Sequence, residues 1–247
     1  MDAADFYTGL VAELYGPLKS TTQSADPYAA FVSASGGPAL ELGCGDGEPL
    51  LELRRRGFDV EGVDSSADML ARCRRAAADA GLEVTLHHQR MEALALGRRY
   101  RSVYLAGPTF NLLPDDGTAL LALQAIRSHL ADDGLALIPL FVPPPSGDRL
   151  GRAREAVSAD GTVLRVTAVG EERDEDARTQ VTVLRYERET GDERVVVDRP
   201  WTLHWYTPAG FGALVTAAGL VAREVRDPAG GTVTDDATDF TFVVGVA

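Results

Sequence analysis

The sequence predicts an α/β fold: a mostly parallel sheet with helices on both faces, and an antiparallel β-meander inserted after the fifth strand. Three observations predict it. Over residues 39–142 short apolar runs alternate with amphipathic stretches, as parallel strands joined by crossover helices require. The first run is closed by the glycine cluster Gly43, Gly45 and Gly47. After Pro143, Pro144 and Pro145 the apolar period changes to two, over residues 162–169, 180–187 and 194–205.

The elements follow in order. Tyr7, Leu10, Val11, Leu14 and Tyr15 recur at helical spacing and predict an amphipathic N-terminal helix. Residues 39–42 form the first strand, and a helical pattern through Leu50, Leu51 and Leu53 ends near Gly57. The second strand, 58–63, is closed by Asp64. Ser65 with Asp68 three residues later reads as a capping box, opening a helix to about Ala80. The third and fourth strands are 83–88 and 101–106. A helix from about Gly117 to Leu130 ends at the Asp132-Asp133-Gly134 turn, before a fifth strand at 135–142. Polar connections at 171–176 and 189–193 join the meander strands, the second through the hairpin signal Thr190-Gly191-Asp192. Thr207 and Pro208 start a helix, Gly219 stops it, and strands at 220–225 and 239–246 follow.

The chain of 247 residues is expected to be one domain. Residues 1–35 form a helical lid, 36–145 the ligand-binding core, 146–206 a substrate-side insertion and 207–247 the return to the core sheet. The apolar side of the meander, with Val163, Val166, Val181, Val183, Val195 and Val197 as candidates, must be covered by the parent domain or by a second copy, so a homodimer through the meander is an option.

Charge bounds the partners. With 24 Lys+Arg against 37 Asp+Glu, the formal net charge of −13 repels nucleic-acid backbones and anionic membranes, and neither is expected as a partner. Cys44 and Cys73 are the only cysteines, too few for a disulfide framework and without metal-site spacing. With no basic leader or long apolar run, a cytoplasmic location is expected.

The chemistry is carried by Glu41-Leu42-Gly43-Cys44-Gly45-Asp46-Gly47, which follows a strand and precedes a helix. Its glycine spacing, G-x-G-x-G, is not the G-x-G-x-x-G that seats a pyrophosphate. Glu41 would repel a phosphate and suits a cationic amino group. Asp64, 23 residues on, ends the second strand, where an acid can bind both hydroxyls of a ribose. A ligand with a ribose and an amino-acid part, but no phosphate, meets these demands.

This constellation resembles the class I S-adenosylmethionine-dependent methyltransferases. The resemblance covers nearly the whole chain and continues through the segments 88–92 and 104–113. It implies a Rossmann-like sheet of seven strands, with S-adenosylmethionine as methyl donor and S-adenosylhomocysteine as product. It implies that Glu41, Gly43 and Gly45, with Cys44 between the glycines, lie along the methionine and ribose. Asp64 would hold the ribose, Ser65 and Met69 would lie beside the adenine, Arg90 and Met91 at its edge, and Ala106 under the methionine part. Arg90 stands where the family often has an aspartate, and Asp46 where threonine or serine is common. In the small-molecule branch a tyrosine-bearing N-terminal helix covers the cofactor, which implies Tyr15 on the cofactor and Tyr7 on the substrate side. Phe110 and Asn111 take the acceptor-facing positions after the fourth strand.

Methyl transfer to a neutral amine needs no strong base, whereas an alcohol usually needs one. His87 and His88 are expected to be structural and away from the active rim, and His129 to answer a helix dipole. His204, at the return of the meander, is the one histidine expected to face a substrate. No carboxylate–histidine cluster has metal-site spacing. The expected function is N-methylation of a small natural-product amine by proximity and desolvation. The alternatives are O- or C-methylation with His204 as base, or a fold relative, a cyclase or binding protein, that keeps the cofactor without methyl transfer.

Overall fold

The computed structural model describes residues 6–19 and 23–246. In chain order the elements begin with α1 (Leu10–Leu18), α2 (Asp26–Ser35), β1 (Ala39–Leu42), α3 (Leu50–Arg55), β2 (Val60–Asp64), α4 (Ala67–Asp79) and β3 (Leu86–His88). They continue with β4 (Tyr100–Leu105), α5 (Asp116–His129), β5 (Leu130–Phe141), β6 (Ala153–Val157) and β7 (Val163–Asp174). The last are β8 (Thr179–Thr190), β9 (Glu193–His204), α6 (Pro208–Ala217), β10 (Leu220–Arg226) and β11 (Asp239–Val246).

The fold is the expected one. Seven strands form one sheet in the order β10-β11-β5-β4-β1-β2-β3, and only β11 runs antiparallel to its neighbours. β1 is buried at all four positions, as a central strand covered on both faces must be. Leu123 and Ile126 of α5 and Phe211 and Val215 of α6 cover one face. Tyr28 of α2, Leu53 of α3, and Leu70 and Cys73 of α4 cover the other. Among the described residues no helix is long and apolar enough to cross a membrane.

The insertion forms a second, antiparallel sheet in the order β6-β7-β8-β9. It has four strands where period-2 patterning predicts three, because β6 is too polar to alternate. The polar connection expected at 171–176 is shorter than its acidic stretch: β7 runs on to Asp174, and the chain turns at 175–178 with Arg178 at φ 54°. The six valines do not share a face. Cross-strand pairing puts Val166 and Val197 on the side of Tyr186, and Val195 on that of Arg188, which reaches α1 through Glu13. Val163, Val181 and Val183 lie on the opposite side, among the ion pairs Arg165–Glu155 and Arg185–Asp198.

Local chemistry accounts for the other differences. The cap of α4 is Ser66, whose Oγ accepts from Met69 N–H, and not Ser65. Asp68 instead accepts from Gly9 N–H at 2.7 Å, tying the N-terminal segment to α4. Leu130 already belongs to β5, which absorbs the Asp132-Asp133-Gly134 turn through a register shift opposite Tyr100 and Ser102. The third strand is only three residues long, and α2 is a second helix within the stretch expected to be a helical lid. Of the lid, residues 1–5 and 20–22 lie outside the described residues. Tyr7 precedes α1 rather than belonging to it.

That segment does not pack on the seven-stranded sheet. Phe6, Val11, Leu14 and Leu18 form a third core with Leu164, Val166 and Tyr186 of the second sheet. The N-terminal segment thus fills the angle between insertion and core. At Gly62, in the middle of β2, a Cβ would stand 2.7 Å from both Cys44 Sγ and Leu50 Cδ2. Gly62→Ala is therefore expected to destabilise the fold by about 1–3 kcal/mol through overpacking. Urea or thermal unfolding checks this, and an unchanged midpoint would mean that the glycine loop is not packed tightly on β2.

Candidate active site

The site begins at the C-terminal ends of β1 and β2. Gly43 N–H and Cys44 N–H both donate to Val63 O, so the chain leaving β1 hooks over β2. Gly43 turns with φ 72°, and a Cβ there would stand 2.5 Å from Thr109 Cγ2. Only glycine fits that approach. The Asp64 carboxylate then takes one amide on each oxygen: Gly45 N–H on Oδ2 and Ser66 N–H on Oδ1, both at 2.8 Å. Burial pushes this carboxyl up, and the two amides work against the rise.

A cavity of about 850 Å³ opens beside these groups. Of the expected cofactor residues, Tyr15, Gly43, Gly45, Asp64, Ser65, Met69, Arg90 and Met91 line it. Val63, Gln89, Glu92, Thr109, Leu112, Leu113 and Pro114 also line it and were not singled out as site residues. All but Val63 lie on irregular segments that carry no period. The residues fit the expected donor: bare glycine backbone for its chain, a carboxylate with lone pairs left for two hydroxyls, and Met69, Met91 and Leu113 for a flat base.

Three expected cofactor residues do not line the cavity. Glu41 is fully buried; its Oε2 accepts from Tyr104 O–H at 2.7 Å, while Oε1 has no partner among the described residues. Burial, aided by Asp64 and Asp46, pushes its carboxyl up from the ordinary 4.5 to about 8. Cys44 turns its side chain into the core against Gly62, and burial pushes its thiol up. Ala106 is half-buried and accepts from Thr109 Oγ1 through its carbonyl.

The expected acceptor residues divide more sharply. Phe110 is fully buried, edge-on to Phe211 at 5.3 Å. Asn111 is a stitch: its Nδ2 donates to Phe141 O and His204 O, and its Oδ1 accepts from Phe141 N–H. His204 is 3% exposed, with Nε2 3.0 Å from Asp116 Oδ1, and lines neither cavity described here. These three hold the insertion on the core, so a base role for His204 has no supporting geometry. His129 bridges Ala125 O and Leu96 N–H rather than serving as a charge at a helix end. His87 bonds Glu61, but His88 reaches Ser65 O and therefore sits on the active rim, not away from it.

Tyr7, expected on the substrate side, lines two cavities. With Tyr15, edge-on at 5.5 Å, it forms a wall common to the cofactor cavity and to a second cleft of about 1270 Å³. Burial pushes the Tyr7 hydroxyl far up and the Tyr15 hydroxyl up to about 12, so neither is a base at neutral pH. The cleft lies between the N-terminal segment and the second sheet. Its floor is apolar, with Val166, Leu184, Tyr186 and Trp201, and its mouth carries Arg149, Arg152 and Arg154. Among the described residues none of these arginines has a carboxylate partner, whereas Glu48 is taken up by Lys19 and Gln23 N–H. Sequence patterning gave no notice of the arginines, because Arg149 and Arg152 precede β6 and β6 itself, which carries Arg154, has no alternation.

Comparisons with known proteins agree with this geometry. A methyltransferase-domain family model matches residues 39–134. A dTDP-3-amino-3,6-dideoxy-α-D-glucopyranose N,N-dimethyltransferase from Streptomyces fradiae is 30% identical over 224 residues, 87% of this chain and 85% of that protein. The chain belongs to the class I S-adenosylmethionine-dependent methyltransferases. More finely, this methyltransferase falls in their natural-product branch, and its methyl donor is S-adenosylmethionine. The CcbJ methyltransferase of Streptomyces caelestis has the same fold, with TM-score 0.76 and 24% identity over 100% of this chain and 98% of that one. So does the S-adenosylmethionine-bound amino pentose methyltransferase CalS10 of Micromonospora echinaspora, with TM-score 0.68 and 21% identity over 98% of each chain.

The state of Glu41 gives this methyltransferase a pH signature. Between the ordinary 4.5 and about 8 the folded protein keeps a proton that the unfolded chain has lost. Its stability contribution is full below that window and declines as pH rises through it. Cofactor-free wild type is expected to lose stability from about pH 5 to 8 relative to Glu41→Gln, which imitates the protonated acid. Unfolding midpoints against pH read this out, and a pH-independent difference would mean that Glu41 is ionised throughout.

Proposed function

We propose that this methyltransferase N-methylates the amino group of a sugar carried on a nucleoside diphosphate. The carrying observation is the cleft behind Tyr7 and Tyr15, apolar at its floor and bearing at its mouth three arginines without carboxylate partners among the described residues. An apolar floor with aromatic walls suits a deoxysugar. Guanidinium groups suit the oxygens of a pyrophosphate. The fradiae relative, whose name specifies a dTDP-linked amino sugar, supports the reading.

In this reading Asp64 accepts from the ribose hydroxyls, and Met69 and Met91 flank the adenine. The bound donor supplies a methyl carbon already activated by its sulfonium. The chain contributes position and the exclusion of water. Tyr7 and Tyr15 set the approach, and the amine lone pair attacks in line with the breaking carbon–sulfur bond. The new ammonium keeps its proton until water takes it. No base is required, which agrees with hydroxyls held protonated on the shared wall and with His204 placed elsewhere.

Two experiments test the assignment. Asp64→Ala is expected to weaken S-adenosylhomocysteine binding about 10–100-fold, the worth of hydrogen bonds to a charged group. Calorimetry reads this, and unchanged affinity would remove Asp64 from the cofactor site. Incubation with methyl-labelled donor and dTDP-3-amino-3,6-dideoxy-α-D-glucopyranose is expected to place label on nitrogen. Arg154→Ala should raise KM for this acceptor about tenfold or more, with a smaller effect on kcat. Label on oxygen or carbon, or equal use of an amino sugar without phosphate, overturns the reading.

A further inference from the structure

Buried side-chain donors and acceptors in a folded protein are normally paired, so each orphan calls for an explanation. One lies on the floor of the acceptor cleft. The Nε1–H of Trp201 is buried and has no hydrogen-bond partner among the described residues. Trp201 stands on β9 opposite Thr182 and packs on the third core together with Tyr7. Both residues line the cleft, and Tyr7 also lines the cofactor cavity. The Tyr7 hydroxyl is held above its ordinary value chiefly by burial, and the Trp201 N–H acts in the opposite direction. The indole donor and the phenol oxygen thus lie near one another on the wall of the same cleft, with no hydrogen bond of normal geometry to the indole N–H among the described residues.

We infer that Trp201 is a positioning residue for methyl transfer, its indole N–H closing on the Tyr7 hydroxyl when the site is filled and fixing that hydroxyl on the acceptor side of the shared wall. The Tyr7 backbone is already anchored, since its carbonyl accepts from Ser66 Oγ beside the cofactor loop. Its ring is braced edge-on by Phe6 at 4.8 Å and by Tyr15 at 5.5 Å. The freedom left is rotation of the hydroxyl. With one phenol lone pair occupied by the indole, another accepts an N–H of the amine. An amine held by its N–H keeps its own lone pair free for the methyl carbon. A phenylalanine in place of Trp201 would keep an aromatic ring at this position, smaller than the indole and without its N–H. The inference needs methyl transfer to an amine, and not the identity of the sugar.

The chain has two tryptophans, so the indole region of a ¹H–¹⁵N spectrum holds two resonances, and Trp201→Phe assigns them. In protein saturated with S-adenosylhomocysteine, Tyr7→Phe is expected to shift the Trp201 resonance and to speed its exchange with solvent, leaving Trp205 unmoved. An unmoved Trp201 resonance overturns the inference. This readout needs no turnover, so its failure is distinguishable from failure of the acceptor assignment. With dTDP-3-amino-3,6-dideoxy-α-D-glucopyranose as acceptor, Trp201→Phe is expected to lower kcat about fivefold to tenfold, the worth of one hydrogen bond, with a smaller change in KM and unchanged S-adenosylhomocysteine affinity. The double variant should be no slower than Tyr7→Phe alone. A loss confined to KM, or losses that multiply, would mean that Trp201 acts on its own.

Discussion

Both cavities depend on the two amides held by the Asp64 carboxylate. Gly45 N–H fixes the loop after β1, and Ser66 N–H fixes the start of α4. Ser66 in turn reaches the carbonyl of Tyr7, and Asp68, in the first turn of α4, holds Gly9. A carboxylate at the end of β2 thus sets the cofactor loop and, through α4, the segment that walls off the acceptor cleft. The same group that suits a ribose is the one that positions the lid. Filling the cofactor cavity therefore bears directly on the Tyr7 wall, without any signal having to cross the sheet.

The insertion reaches that wall from the other side. Glu13 of α1 pairs with Arg188 of β8, and Lys19 pairs with Glu48 beyond the glycine loop. Such exposed pairs contribute little stability singly. The apolar contact of Leu14 and Leu18 with Leu164 and Val166 does more to hold the segment, because it removes both surfaces from water. The N-terminal segment is therefore a wedge between two sheets. Its burial explains why its helical periodicity was visible in the sequence while its packing partner was not.

The parts of the fold legible in the sequence were those governed by local chemistry. The glycine spacing, the acid at the end of β2, the Thr207-Pro208 start of α6 and the Gly191-Asp192 hairpin turn each act within a few residues, and each sits where expected. The misplaced elements are those decided across the chain. β6 becomes a strand because Arg154 and Ala156 find partners in Val166 and Leu164, and its own sequence gives no such pattern. Phe110, Asn111 and His204 followed from position relative to β4 and β9, but burial against α6 and β5 claimed them. Of the first cavity, the part built by the glycine loop and the end of β2 could be read from local motifs, whereas the residues at 89, 92, 109 and 112–114 could not. The acceptor cleft was not readable, since its wall draws on the N-terminal segment, β6, β7, β8 and β9 together.

The net charge of −13 shows how little a whole-chain sum says about a site. Asp198, Glu155 and Glu189 are spent on ion pairs across the outer face of the second sheet. The inner face, toward the cleft, carries Arg154 in the same cross-strand row as Val166, Tyr186 and Val197. A cleft with low-dielectric walls focuses the field of the charges at its mouth, so its potential is set by these arginines more than by acids on the far side of the sheet. The small anionic acceptor proposed above is thus compatible with a chain of net negative charge. The alternation of β-strand side chains, which separates the two faces residue by residue, is what permits it.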